Sequence, residues 1–84
     1  MDLLKKANNL PGEPGVYIMH DRHRKVIYVG KAKNLKNRVT SYFRNGYHTP
    51  KTEKMVSQVE DFDVIITATE LDALLTEISL IRLH

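Results

Sequence analysis

The stretch "GVYIMHDRHRKVIYVG", residues 15–30, constrains the fold of this chain more than any other. Residues 15–20 and 25–30 are rich in Val, Ile and Tyr, and short runs of β-branched and aromatic residues form strands. The polar gap "DRHR" between them has the length of a hairpin loop. With those residues in the loop, His20 faces Lys25, and counting back along both strands sets Tyr17 opposite Tyr28. Directly paired residues of an antiparallel ladder point to the same side, so this register places both phenols on one face. A slip of one residue would part them. Spacing alone leaves two readings open, a core-packing pair or two phenols that share a chemical task.

The flanking sequence supplies the other elements. Asp2 is placed to cap a short helix, "LLKKANN", which Pro11 and Gly12 end. "PGEPG" is a turn cluster. After Gly30, Asn34 is an N-cap, and Leu35, Val39, Tyr42 and Phe43 follow at helical spacing. "RNGYH" reads as a loop, and Thr49-Pro50 opens a helix that buries Met55, Val56 and Val59. "FDVIITA" is a third strand. Thr69 caps a last helix, with Asp72 as the back half of a weak capping box and Leu71, Leu74, Leu75, Ile78 and Ile81 as its apolar stripe. The order predicts one α+β domain over residues 1–84, on a small, mainly antiparallel sheet. Its 84 residues suffice for a single modest core.

Charge narrows the partner. The net charge is only +3, yet residues 22–54 carry ten bases against the single acid Glu53. The rest of the chain is net acidic. So basic a segment points to a polyanion, nucleic acid first, although a solvated lysine-rich surface has the same composition. The chain has no cysteine, which excludes disulfides and thiolate zinc sites and fits the cytoplasm. No run approaches the ~20 apolar residues of a membrane span, and the N-terminus lacks the apolar stretch of a signal peptide.

Side chains with chemistry in them fall into a few groups. Arg38 lies three residues after Leu35 and four before Tyr42, on a half-buried helix stripe. There it either snorkels outward or points into an anion pocket. "GKAKN" adds Lys31 and Lys33 just before that helix, whose N-terminal N–H groups suit a phosphate. One glycine does not make a P-loop. Glu77 sits on the shoulder of the last helix's stripe, with Asp72 and Thr76 further toward solvent. A single glutamate is enough for Mg²⁺, which typically takes one or two protein carboxylates and fills its shell with water and phosphate oxygens. Lys51 and Lys54, one helical turn apart, read as a solvated face or a phosphate contact. His20, His23, His48 and His84 have no zinc spacing, and no serine has a nucleophile-elbow context.

These residues carry a family resemblance. Gly15-Val16-Tyr17 followed by Tyr28-Val29-Gly30 resembles the signature of the GIY-YIG nucleases. Arg38 and Tyr42 resemble the family's Arg-x-x-x-Tyr/His element, and Glu77 its metal-binding glutamate. More narrowly, "LPGEPGVYIM", "VIYVGKAKNLKNRVTSYF" and "TELDALLTEISLIRLH" resemble the branch of the family that works in bacterial nucleotide excision repair.

The resemblance implies a three-stranded antiparallel sheet flanked by helices and a metal-dependent endonuclease that acts on double-stranded DNA. In that branch the domain cuts on the 3′ side of a lesion, within a repair complex that depends on UvrA and UvrB. It implies Tyr17, Tyr28, Lys31, Arg38, Tyr42 and Glu77 as the active-site residues, with Glu77 holding Mg²⁺ or Mn²⁺. Lys31, Lys33, Lys36, Arg38 and Lys51 are then the expected DNA contacts. Tyr17 is the expected general base, with Tyr28 as the alternative. Two departures stand out: Ser79 replaces an asparagine usual in the family, and a further family asparagine lies beyond His84, which suggests a domain cut from a longer chain. Other GIY-YIG nucleases (homing, restriction or exonuclease-fused) and a non-catalytic DNA-binding module are the alternatives.

Overall fold

The computed structural model describes residues 2–44 and 48–83. Seven elements follow one another: α1 (Leu3–Asn8), β1 (Gly15–His20), β2 (Val26–Ala32), α2 (Leu35–Phe43), α3 (Pro50–Gln58), β3 (Asp61–Ile66) and α4 (Glu70–Leu83). The three strands form one antiparallel sheet in the order β2-β1-β3, so the expected fold class is the observed one. The loop expected over residues 44–48 lies partly outside the described residues, as does His84.

Helix starts follow local chemistry. Asp2 accepts from the Lys5 N–H, Asn34 from Asn37 and Thr49 from Thr52, while the Thr69 hydroxyl accepts from Asp72. Each cap satisfies an amide that the first helical turn leaves without a partner.

The hairpin register differs from the expected one. Tyr17 pairs with Gly30 and Met19 with Tyr28, and an irregularity between Met19 and His20 sets His20 against Val26. The cause lies in the turn. The Asp21 carboxylate accepts from the His23 and Lys25 amides, at 2.8 and 3.0 Å, and Arg24 takes a left-handed φ of 62°. The turn thus takes five residues instead of four, and the bulge beside it, where Ile27 has no partner, takes one more. Relative to the expected pairing the strands slide by two residues, an even number, so both phenols still share a face. Because a left-handed backbone costs a residue with Cβ roughly 1 kcal/mol, Arg24→Gly should stabilise the chain by up to ~1 kcal/mol. A urea midpoint that does not rise would count against strain at this turn.

Tyr17 and Met19 face the main core together with Phe62, Leu35, Val39 and Ala7, all buried. Burying Phe62, Met19 and Leu35 contributes roughly 1.5–3 kcal/mol each. Thr40, buried on α2, returns its hydroxyl to the Lys36 carbonyl at 2.7 Å, so no polar group is stranded there. Lys6 ties α1 to β3, its Nζ 2.6 Å from both the Asp61 carboxylate and the Phe62 carbonyl. Met55 and Val56 of α3 are half-buried and Val59 is buried, as expected.

Two other expectations fail. The leucine stripe of α4 is not its packed face: Leu71, Leu75, Ile78 and Ile81 are exposed, and Leu74 is 37% exposed. The helix packs on β1 and β2, with Ala73 fully buried and Thr76, Glu77 and Leu80 half-buried. Apolar residues surround most of this helix, so periodicity did not single out a face, and small Ala73 is what lets helix and sheet approach. Second, the N–H groups at the start of α2 are occupied. Leu35 donates to the Glu13 carbonyl at 2.9 Å, Lys36 to that of Pro11 at 3.3 Å, and Asn37 to the Asn34 side chain. A phosphate here has side chains to meet, not free amides. Among the described residues no helix is long and apolar enough to cross a membrane.

Candidate active site

Three tyrosines from three elements meet at one end of the main core. Ring centroids of Tyr17 (β1), Tyr28 (β2) and Tyr42 (α2) lie 6.0, 5.6 and 6.4 Å apart, and the Tyr17 and Tyr42 hydroxyls share a 2.7 Å hydrogen bond. The strand register makes this possible. Tyr17 lies opposite Gly30, and a Cβ on Gly30 would overlap the Tyr17 ring and hydroxyl. Gly15 is held as tightly, since a Cβ there would come within 2.5 Å of the Ile65 carbonyl oxygen.

The three phenols are not equivalent. Tyr17 is 2% exposed and Tyr28 41%. Burial pushes the Tyr17 phenol far above its usual value, and the bond to Tyr42 adds to the shift, while the Arg38 charge works against both. Burial and Tyr42 also raise Tyr28, and the nearby Glu77 carboxylate adds to that. A phenol raised in the fold holds its proton longer than in the unfolded chain, whose value is near ~10. For the buried Tyr17 this stabilisation is complete below about pH 10 and is lost as pH rises further, at up to ~1.4 kcal/mol per pH unit. Urea midpoints should therefore hold steady to about pH 9.5 and then fall. Tyr17→Phe should fall less steeply, and an unchanged slope would remove Tyr17 as the cause.

A cleft of about 400 Å³ is lined by Lys31, Lys33, Asn37, Arg38 and Ser41, with Ala73 and Glu70 of α4 across it. None of the three tyrosines lines it, and Arg38, whose charge reaches Tyr17, links the two. Lys31 pairs with Val16 inside β2, which makes it a strand residue rather than part of a loop, and alternation sends it off the face opposite Tyr28. Lys33 approaches Glu70 at 3.9 Å. Among the described residues Lys31, Arg38 and Lys51 enter no ion pair. Lys51 stands apart from this cleft, in a second one beside Tyr28 and Tyr42, and Lys36 lines neither. Asn37 and Ser41 were not expected at the site. With Asn34 and Arg38 they form an i, i+3, i+4, i+7 polar row on α2, a signal that can be read from sequence. Among the described residues no cluster of three or more metal-ligating His, Asp or Glu occurs.

Residues 13–84 match the UvrC-like GIY-YIG domain family. The chain belongs to that family. UvrABC system protein C of Moorella thermoacetica is 56% identical over 84 residues, which is all of this chain and 14% of that protein. Its counterpart in Caldicellulosiruptor saccharolyticus is 54% identical over 82 residues, 98% of this chain and 14% of that protein. The chain thus spans about one seventh of the length of the curated relatives it matches. The GIY-YIG N-terminal endonuclease domain of Thermotoga maritima UvrC, solved with its catalytic magnesium bound, superposes with a TM-score of 0.84 at 35% identity, covering 95% of this chain and 86% of that one. Three variants of that domain, each with one tyrosine changed to phenylalanine, were also solved with the divalent cation bound. The UvrC-like GIY-YIG domain described here gathers three tyrosines at one point.

Proposed function

We propose that this UvrC-like GIY-YIG domain hydrolyses a phosphodiester bond of double-stranded DNA with a divalent metal held at Glu77. In the intact protein, this would be the 3′-side incision of bacterial nucleotide excision repair in the cytoplasm, made within a complex that depends on UvrA and UvrB. The observation that carries the reading is the convergence of Tyr17, Tyr28 and Tyr42, linked through Arg38 to a cleft that Lys31 and Lys33 also line.

The donor set fits Mg²⁺ or Mn²⁺. Glu77 lies half-buried on the packed side of α4, close enough for its charge to act on Tyr28. A lone carboxylate suits a hard cation that completes its shell with substrate phosphate and water. Glu77 would hold the ion, which when bound supplies Lewis-acid stabilisation to the scissile phosphate. Arg38 offsets the charge that grows on the phosphoryl oxygens. Lys31 and Lys33 bind the phosphate backbone in the same cleft, with Lys36 and Lys51 as more distant contacts.

The general-base role fits Tyr28 better than Tyr17. Tyr28 is open to water, whereas Tyr17 is sealed in the core with its hydroxyl bonded to Tyr42. Tyr17 and Tyr42 then hold the phenol cluster in place. A general base contributes about 10²–10⁴-fold. Single-turnover nicking by Tyr28→Phe should therefore fall about 10³-fold, with DNA affinity within twofold of the parent. Tyr17→Phe should lose about tenfold through positioning. A larger loss for Tyr17→Phe would return the base role to Tyr17.

A further inference from the structure

The second cleft, about 450 Å³, opens between β2 and α3. Tyr28 and Tyr42 form its wall on the side of the catalytic cluster, Ile27 and Met55 supply apolar lining, and Lys51 and Lys54 stand on α3. It shares no residue with the cleft of Lys31 and Arg38. Tyr28 and Tyr42 line only this cleft, and Arg38, one helical turn before Tyr42, lines the other. A merely solvated lysine face needs no cavity beneath it, whereas a ligand site combines apolar walls with a few charged groups. The first-turn acid of α3, Glu53, is exposed and does not line the cleft, and among the described residues neither lysine has an ion-pair partner.

Spacing ties the cleft to a nucleic-acid strand. Arg38 and Tyr42 are four residues apart on α2, about 6 Å along its axis. A DNA strand carries one phosphate per ~3.4 Å of helix axis, so the cleft beyond Tyr42 lies within one or two nucleotides of a phosphate at Arg38. Aromatic faces take bases or sugars regardless of sequence, and lysines take phosphates.

We infer that the cleft between β2 and α3 binds the deoxynucleotide flanking the cleaved bond, its base or sugar on Tyr28 and Met55 and its outer phosphate on Lys51 and Lys54. The inference rests on the phosphodiesterase reading of the neighbouring tyrosines.

Thymidine 3′,5′-bisphosphate and inorganic phosphate, titrated separately into the ¹⁵N-labelled chain, test it. The bisphosphate should shift the amides of Ile27, Tyr28, Thr52 and Met55, while inorganic phosphate, which has no base or sugar to place on the apolar lining, leaves Ile27 and Met55 unmoved. The double variant Lys51→Gln, Lys54→Gln should bind the bisphosphate about tenfold more weakly. A bisphosphate pattern confined to the first cleft, or equal affinity in the double variant, overturns the subsite. Metal-dependent nicking by the intact parent protein separates the two ideas. Nicking with no shifts at Ile27 and Met55 removes the subsite alone. Shifts there without nicking keep a nucleotide site and remove the nuclease reading.

Discussion

Glu77→Gln should abolish metal-dependent nicking while leaving the domain folded. Glutamine keeps the shape of glutamate and removes the charge that a hard divalent cation needs. Lewis-acid stabilisation is worth several kcal/mol, and each ~1.4 kcal/mol is a factor of ten, so the loss should be about 10³-fold or more. The fold should tolerate the change. Glu77 makes no ion pair among the described residues, and its neighbour on the packed side of α4 is the small, buried Ala73. Melting should therefore move by no more than a few degrees. The assay is single-turnover nicking by the intact protein with the proposed UvrA- and UvrB-dependent complex, over a magnesium and a manganese series. Full activity in the variant would end the assignment of the metal to Glu77. Activity restored by high manganese would instead mark a weakened site.

Gly30→Ala should be, with Gly15→Ala, one of the two most damaging single-methyl changes in the sheet. The new Cβ would come within 2.3 Å of the Tyr17 Cζ and hydroxyl oxygen, and Tyr17 is buried on the central strand, bonded to Tyr42. Overpacking a tight core costs about 1–3 kcal/mol. In a domain of this size each kcal/mol moves the melting temperature by roughly 4–8 °C, so a fall of about 4–24 °C is expected. Nicking should be lost with it, because the ring cannot move without breaking the tyrosine cluster. A second substitution keeps the test specific. In a Tyr17→Val background the ring is gone, and Gly30→Ala should cost less than ~1 kcal/mol, giving a clear coupling energy. Additive effects of the two changes would show that Gly30 matters for some reason other than Tyr17.

The two glycines also show how much the sequence disclosed. Their place beside β-branched and aromatic residues marked the strands, and the strands formed where expected, with β2 running on to Ala32. Why Gly30 must be glycine was hidden, because the residue it accommodates lies across the sheet. Asp21 shows the same limit. Its two hydrogen bonds belong to a turn one residue longer than the count allows, and the unpaired Ile27 of the adjacent bulge adds the second residue of the register shift, which no count of loop length anticipates. The shared face of Tyr17 and Tyr28 survived only because side-chain alternation has period two.

Local rules succeeded wherever the governing partner lay within a few residues. Asp2, Asn34, Thr49 and Thr69 each cap the helix expected of them, because a cap bonds an amide two or three positions on. They failed where the partner was distant. The amides opening α2 looked free for a phosphate until the carbonyls of Pro11 and Glu13 folded onto them. Helix α4 offered apolar residues on several sides, and only contact with β1 and β2 chose the side of Ala73 and Glu77 and left the leucines outward.

By itself, then, the sequence determined the elements, their order, the basic character of residues 22–54 and the residues that carry the GIY-YIG pattern. Each of these depends on chemistry between near neighbours in the chain. Tertiary structure alone decided which phenol is sealed and which meets water, which face of α4 carries Glu77 inward, and where the basic residues divide between two clefts. Those outcomes depend on close packing between elements far apart in sequence, and packing leaves no local periodicity to read.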